Sequence, residues 1–209
     1  MLVHLGGQVV AGQRVSGTSD ISAIAAYYAH RGLLPLYWLV GFFVLPFGTF
    51  VVAFRRYLRA HSSSTGAQVL ADAGTALALA VIPAALVVWL APQAAMVQMV
   101  KADPGGSPAL LGLFAFWDWA YNSLSYWLEF GWVGAFSLAA WQARALPRAL
   151  AAYGVLVAIV LGSYSLVLPL GLSDQITLPG SLLFAIWFVV TGIYLARGGT
   201  SKAVMPPTA

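Results

Sequence analysis

Between Leu113 and Trp141 the chain reads LFAFWDWAYNSLSYWLEFGWVGAFSLAAW, an apolar run long enough to cross a bilayer that still carries two carboxylates. At 100° per residue, Asp118, Asn122, Ser125 and Glu129 project at roughly 0°, 40°, −20° and 20°, a stripe about 60° wide on one helix face. Hydrocarbon offers no hydrogen bonds, so this face must turn toward other helices or a wet cavity. Any fold for the chain has to satisfy that run first.

Composition points the same way. Of 209 residues, 61% are hydrophobic and 8% charged, against about 25% charged in soluble domains. So few charges cannot cover a globule, and the chain reads as an all-α, polytopic transmembrane helix bundle. The net charge is +4. Its basic residues gather at the ends of apolar runs, where they set orientation, and no nucleic-acid motif accompanies them. The lipid bilayer is the expected partner, with no nucleic acid. Cysteine is absent, which removes disulfides, thiolate catalysis and iron–sulfur ligation. His4, His30 and His61 all lie outside the apolar runs. Neither haem held by facing imidazoles nor a histidine-ligated metal fits, so no cofactor and no metal are expected.

Five spans are expected, at about 33–54, 69–91, 117–141, 149–168 and 178–196. Residues 1–32 form an extracytoplasmic segment in which Ile21, Ile24, Ala25 and Tyr28 recur at helical spacing, either a short amphipathic helix with Ser19 or Asp20 as its N-cap or a simple lead-in turn to span one. MLVHLGGQVVAGQRV lacks the basic start and long apolar core of a signal peptide, so insertion is expected from the later spans. In span one, Tyr37 and Trp38 are interfacial anchors and Pro46 predicts a kink. Span two carries Asp72 about one turn in, where a capping or interfacial role is expected. Its Ala76, Ala80 and Ala84 are expected to form the close-packing row. Pro92 to Pro108 reads as a loop with a short helix, closed by the turn signal Asp103–Pro104–Gly105–Gly106. A lead-in segment at 109–116 precedes span three. On that span Gly131, Ala135 and Ala139 are a second small-residue row. Residues 197–209 have the composition of a disordered cytoplasmic tail.

Charge then sets topology. Arg55, Arg56, Arg59, Arg144, Arg148, Arg197 and Lys202 fall on one side of such a bundle, and Arg14, Arg31 and Lys101 on the other. The amino terminus is therefore expected outside and the carboxyl terminus in the cytoplasm of a bacterial plasma membrane.

The stretch ALPRALAAYGVL (145–156), Leu-Pro at 168–169, and LPGSLLFAIWFVVTGIYL (178–195) resemble the C-terminal half of a family of small polytopic bacterial membrane proteins, a domain of unknown function common in actinobacteria. SDISAIAAYYAHRG (19–32) is similar to the stretch between the first two spans there. Members generally carry six spans, which implies that the first is missing here and that MLVHLGGQVVAG is its remnant. The resemblance implies architecture and brings no functional residues.

Functional expectation therefore rests on the stripe. Glu129 lies roughly 18 Å along the helix from Trp141, near mid-bilayer, where a carboxyl costs several kcal/mol unless protonated or paired. No other span holds a cation. Tyr164, Ser163, Ser165, Thr49 and Thr75 are its expected partners, beside Asn122 and Ser125. With Tyr121 and Trp132 flanking, the stripe predicts an acidic, aromatic-walled groove for a lipophilic small molecule or a partner subunit, in a monomer or a homo-oligomer. An intramembrane acid–base enzyme acting on an isoprenoid-like lipid is the alternative, with Glu129 or Asp118 as catalytic acid and aromatic faces steadying a developing cation. A proton-coupled carrier is a further alternative, though no internal repeat supports it.

Overall fold

The computed structural model describes the backbone of residues 20–29, 34–167 and 177–198, and the side chains within those stretches except at 34–43, 121, 122, 167, 177, 178 and 198. Arg14, the 169–174 loop and the tail beyond 198 lie outside the described residues, as do the side chains of Tyr37, Trp38, Tyr121 and Asn122. Every described element is helical: α1 Ile21–Ala29, α2 Leu34–Ala60, α3 Thr65–Ala84, a π-helical turn Ala85–Leu90, α4 Ala91–Ala102, α5 Pro108–Ala143, α6 Arg148–Val167 and α7 Thr177–Gly198.

Three stretches are long and apolar enough to cross a membrane: Thr65–Ala102, Arg148–Leu166 and Pro179–Arg197. Their outward faces carry exposed Leu77, Leu86, Val87, Leu156, Ile159, Leu182, Ile186 and Val190. In water such a surface would be an aggregation liability, whereas acyl chains are its natural solvent.

Helix α5 is the axis of the bundle, held between α3 and α6. Both neighbours approach through small residues. A methyl at Gly74 of α3 would stand 2.9 Å from the Phe136 ring and 3.2 Å from Ala135. One at Gly154 of α6 would stand 2.1 Å from Ser137 Oγ and 2.3 Å from Trp187 Nε1. The row on α3 that packs is Ala67, Ala71, Gly74 and Ala78. The expected row of Ala76, Ala80 and Ala84 is corrected accordingly: Ala76 is exposed and the other two are only half-buried. Helical spacing is common to both rows, and Gly74 decides between them by leaving room for Phe136 and Ala135. On α5, Gly131 and Ala135 meet α3 at Leu77 and Gly74.

The helix that begins at Thr65 does not stop at Pro92. It runs on to Ala102 through the π turn, where the Ala91 N–H donates to the carbonyl of Leu86. Pro83 and Pro92 bracket this turn. Pro92 stands in the first turn of α4, where a missing N–H does no harm. The short helix expected after Pro92 is thus the continuation of span two. Likewise the lead-in at 109–116 belongs to one unbroken 36-residue helix, α5.

Two cores result. The inner one joins Phe50, Val51 and Phe54 of α2, Ala71 and Ala78 of α3, Trp132, Val133 and Phe136 of α5, Val157 and Leu161 of α6, and Trp187 of α7. The outer one joins Ile24, Ala25 and Tyr28 of α1, Met96, Val97 and Val100 of α4, and Leu110, Phe114 and Trp117 of α5. The turn between α4 and α5 closes the outer core as its sequence predicts. Gly105 N–H donates to Asp103 Oδ1 at 3.2 Å, Gly106 adopts φ +77, and Ser107 caps α5 by accepting from Leu110 N–H at 3.4 Å. A Cβ at Gly106 would lie 2.4 Å from Ile21 Cγ2, so α1 docks directly on this turn. Asp20 caps α1 by accepting from the Ser22 N–H at 2.9 Å and hydroxyl at 2.6 Å.

Candidate ligand groove on the central helix

The stripe occupies the part of α5 that lies between the two cores. Trp117 is the last outer-core residue on the helix and Trp132 the first inner-core one. Between them Asp118, Ser125 and Glu129 are each half-buried. Continuing the same helical phase, Val133, Phe136 and Ala140 fall at roughly 60°, 0° and 40°, and all three are fully buried. One face of α5 is therefore sealed below Glu129 and only half-covered above it.

Aromatic rings make the seal. Trp132 lies edge-on to Phe47 at 5.4 Å and Phe184 at 5.7 Å, with Trp187 at 5.7 Å. Phe136 lies 4.9 Å from Phe54. Such offset and edge-to-face rings fill space in their preferred geometry. Trp132 is 1% exposed, so it forms the floor beneath Glu129 and does not stand open as a wall.

The expected partners of Glu129 are differently occupied. Tyr164 is buried against Tyr126, with ring centroids 5.7 Å apart. Its hydroxyl accepts from Gly180 N–H at 3.1 Å, tying α6 to the start of α7. Thr49 donates to the Leu45 carbonyl at 2.8 Å, Thr75 to Ala71 at 2.7 Å and Ser163 to Val160 at 2.7 Å. Hydroxyls on apolar helices commonly turn back to their own backbone in this way. None of these four bonds to Glu129, and Ser165 is buried without a partner among the described residues.

Asp72, outside the stripe, takes Arg55 Nε at 2.8 Å and Arg59 Nη2 at 2.6 Å. The acid that reads as a cap or interfacial group is a clasp between α2 and α3. Arg55 and Arg59 lie one turn apart, which is what lets both reach it.

Three polar residues were silent in the sequence. Ser137 of α5 and Trp187 and Thr191 of α7 are completely buried, and their side-chain polar atoms have no partner among the described residues. The signal that leads to them is Gly154, Ala158 and Gly162, a small-residue row on α6 that faces Ser137, Gly134 and Phe130 in turn. Among the described residues no group of histidine, aspartate and glutamate could hold a metal ion. The chemistry of the stripe is that of carboxyl and hydroxyl groups above an indole floor.

No protein-family model matches the chain, and neither does any curated protein or solved structure.

Proposed function

We propose that the chain is a five-span integral membrane protein of a bacterial plasma membrane, amino terminus outside and carboxyl terminus cytoplasmic. We further propose that the outer half of the α5 face, from Asp118 to Glu129, lines a groove for a lipophilic molecule. α2 and α5 join the three apolar stretches as crossings in this reading. The observation that carries it is the change along one face of α5, from half-buried acids to a sealed aromatic floor, inside a bundle whose outer surface is apolar. A ligand with an apolar body would rest on Trp132 and present a polar end to Glu129 and Ser125. The likeness of 145–156 and 178–195 to small polytopic bacterial proteins supports the architecture within this proposal.

Two measurements test it. The chain has no cysteine, so single cysteines report sidedness without background. Gly105→Cys should react with an impermeant thiol reagent in whole cells, and Ser62→Cys only after the membrane is opened. The reverse pattern would overturn the orientation. Purified wild-type protein should retain a lipophile distinct from bulk phospholipid in extracts read by mass spectrometry, and Glu129→Gln should lose it. Bulk phospholipid alone, unchanged by the substitution, would refute the groove.

A further inference from the structure

The end of the bundle remote from the outer core gathers positive charge faster than the structure uses it. Arg55, Arg56 and Arg59 end α2, Arg144 stands in the connection from α5 to α6, and Arg148 opens α6. The single carboxylate at this end among the described residues is Asp72, and it is already taken by Arg55 and Arg59. Arg56, Arg144 and Arg148 are all exposed, and among the described residues no acid reaches them. One hydrogen bond holds these segments together: Tyr57 Oη donates to the Ala145 carbonyl at 2.9 Å. Because Arg56 precedes Tyr57 and Arg144 precedes Ala145, the two arginine-bearing backbones are fixed side by side.

Arg144 adds a second, independent observation. It occupies the C′ position of α5 in the left-handed conformation, with φ +51 and ψ 32, a place that ordinarily takes glycine. It is the only non-glycine residue with positive φ among the described residues. A Cβ is disfavoured there, so the fold alone does not explain an arginine. An exposed guanidinium where apolar helices end does.

From this we infer that Arg56, Arg144 and Arg148 form a docking surface for the phosphates of anionic phospholipid headgroups. The inference rests on the bundle spanning a membrane; it does not depend on the groove or on which side each terminus lies. Guanidinium forks match phosphate oxygens in pairs. A ring of basic side chains where apolar helices end is placed at headgroup height. Arg55 and Arg59 differ in role, because Asp72 already neutralises one charge and holds both in a clasp.

Wild-type protein in neutral detergent, titrated with phosphatidylglycerol against phosphatidylcholine in mixed micelles, should show a rise in melting temperature only with the anionic lipid. That rise should shrink as salt is added. R56Q/R144G/R148Q should bind the anionic lipid far more weakly, by roughly fivefold for each arginine removed. R144G alone should melt no lower than wild type without lipid, since glycine suits the left-handed turn, yet lose its share of the shift. R55Q/R59Q should melt lower without lipid but keep the anionic preference. Equal shifts with both lipids, a triple variant that keeps the wild-type shift, or glycerol phosphate giving the whole effect would each overturn the inference. Were the protein extracted from membranes by alkaline carbonate, the failure would lie instead with the membrane-spanning reading.

Discussion

In the inner core side chains press directly on glycine backbone, while in the outer core side chains reach across a turn. Around α5 the inner contacts are Gly74 against Phe136 and Gly154 against Ser137 and Trp187, with exposed aliphatic side chains on the far faces. That is how helices pack when acyl chains surround them: no hydrophobic drive separates side chain from solvent, so close approach supplies the attraction. The outer core relies on devices familiar from water-soluble proteins. These are an Asp–Pro–Gly–Gly turn, Asp20 and Ser107 as helix caps, and the amphipathic α1 laid over Met96, Val100 and Phe114. One chain thus uses two packing chemistries, and the acidic stripe lies where they meet.

The difference is broken most forcefully at Trp132. Trp132→Ala removes the floor ring that contacts α2 and α7 together, and a loss of about 3–5 kcal/mol is expected for so large a buried aromatic. The melting temperature in detergent should collapse, and hydrogen exchange should rise across α2, α5 and α7 at once. If exchange rose only near residue 132, the inner core would not be a single cooperative unit.

Gly154→Ala should come next. The added methyl would lie 2.1 Å from Ser137 Oγ and 2.3 Å from Trp187 Nε1, so α6 must move outward or two buried side chains must change rotamer. Overpacking of this kind costs about 1–3 kcal/mol. Pairing it with Ser137→Ala should recover part of the loss. No recovery would mean that the backbones are not held by this contact.

Ser107→Ala sharpens the comparison from the other side. It deletes the cap that accepts from Leu110 N–H, at an expected cost of about 1 kcal/mol. Because the outer core shares only α5 and the long α3–α4 helix with the inner one, exchange should rise in 20–29 and 91–117 and stay unchanged in 132–167. Loosening of the inner helices to the same degree would show that the two cores are one.

The sequence made most of this division legible. Apolar runs, proline and glycine punctuation and the charge at run ends led directly to an all-helical chain, to a cap at Ser19 or Asp20 and to the turn at 103–106, because each depends on local chemistry alone. What it could not decide were choices between equivalent neighbours. The small residues at 67, 71, 74 and 78 and those at 76, 80 and 84 both recur at helical spacing, and the fit of Gly74 against Phe136 marks the first set as the packing row. Pro92 signals a break, yet proline at the opening of α4 continues a helix once a π turn precedes it. The site was half-legible for the same reason. The phase of Asp118, Ser125 and Glu129 follows from helical geometry, whereas Thr49, Thr75 and Ser163 turned back to their own helices and Tyr164 bonded α7. Trp132 sank into the floor because rings from α2 and α7 were there to receive it.

The smallest expected effect concerns Asp20 and the acid response of α1 docking. Hydrogen bonds from the Ser22 hydroxyl and N–H, with a longer one from Ala23 N–H, hold its carboxyl below the ordinary value of 3.8. A carboxyl lowered in the folded state contributes stability that is fully present above its unfolded value and is lost as pH falls through the folded one. Docking of α1 should therefore weaken in acid below about pH 3.8. A spin label on Ala26→Cys, an exposed position of α1, should gain mobility over that range. Asn caps helices about as well as Asp without titrating, so Asp20→Asn should keep α1 docked and make the label's mobility independent of acid. If the label loosened equally in Asp20→Asn, the acid response would belong to another group, and Asp20 would not be what fastens α1 to the outer core.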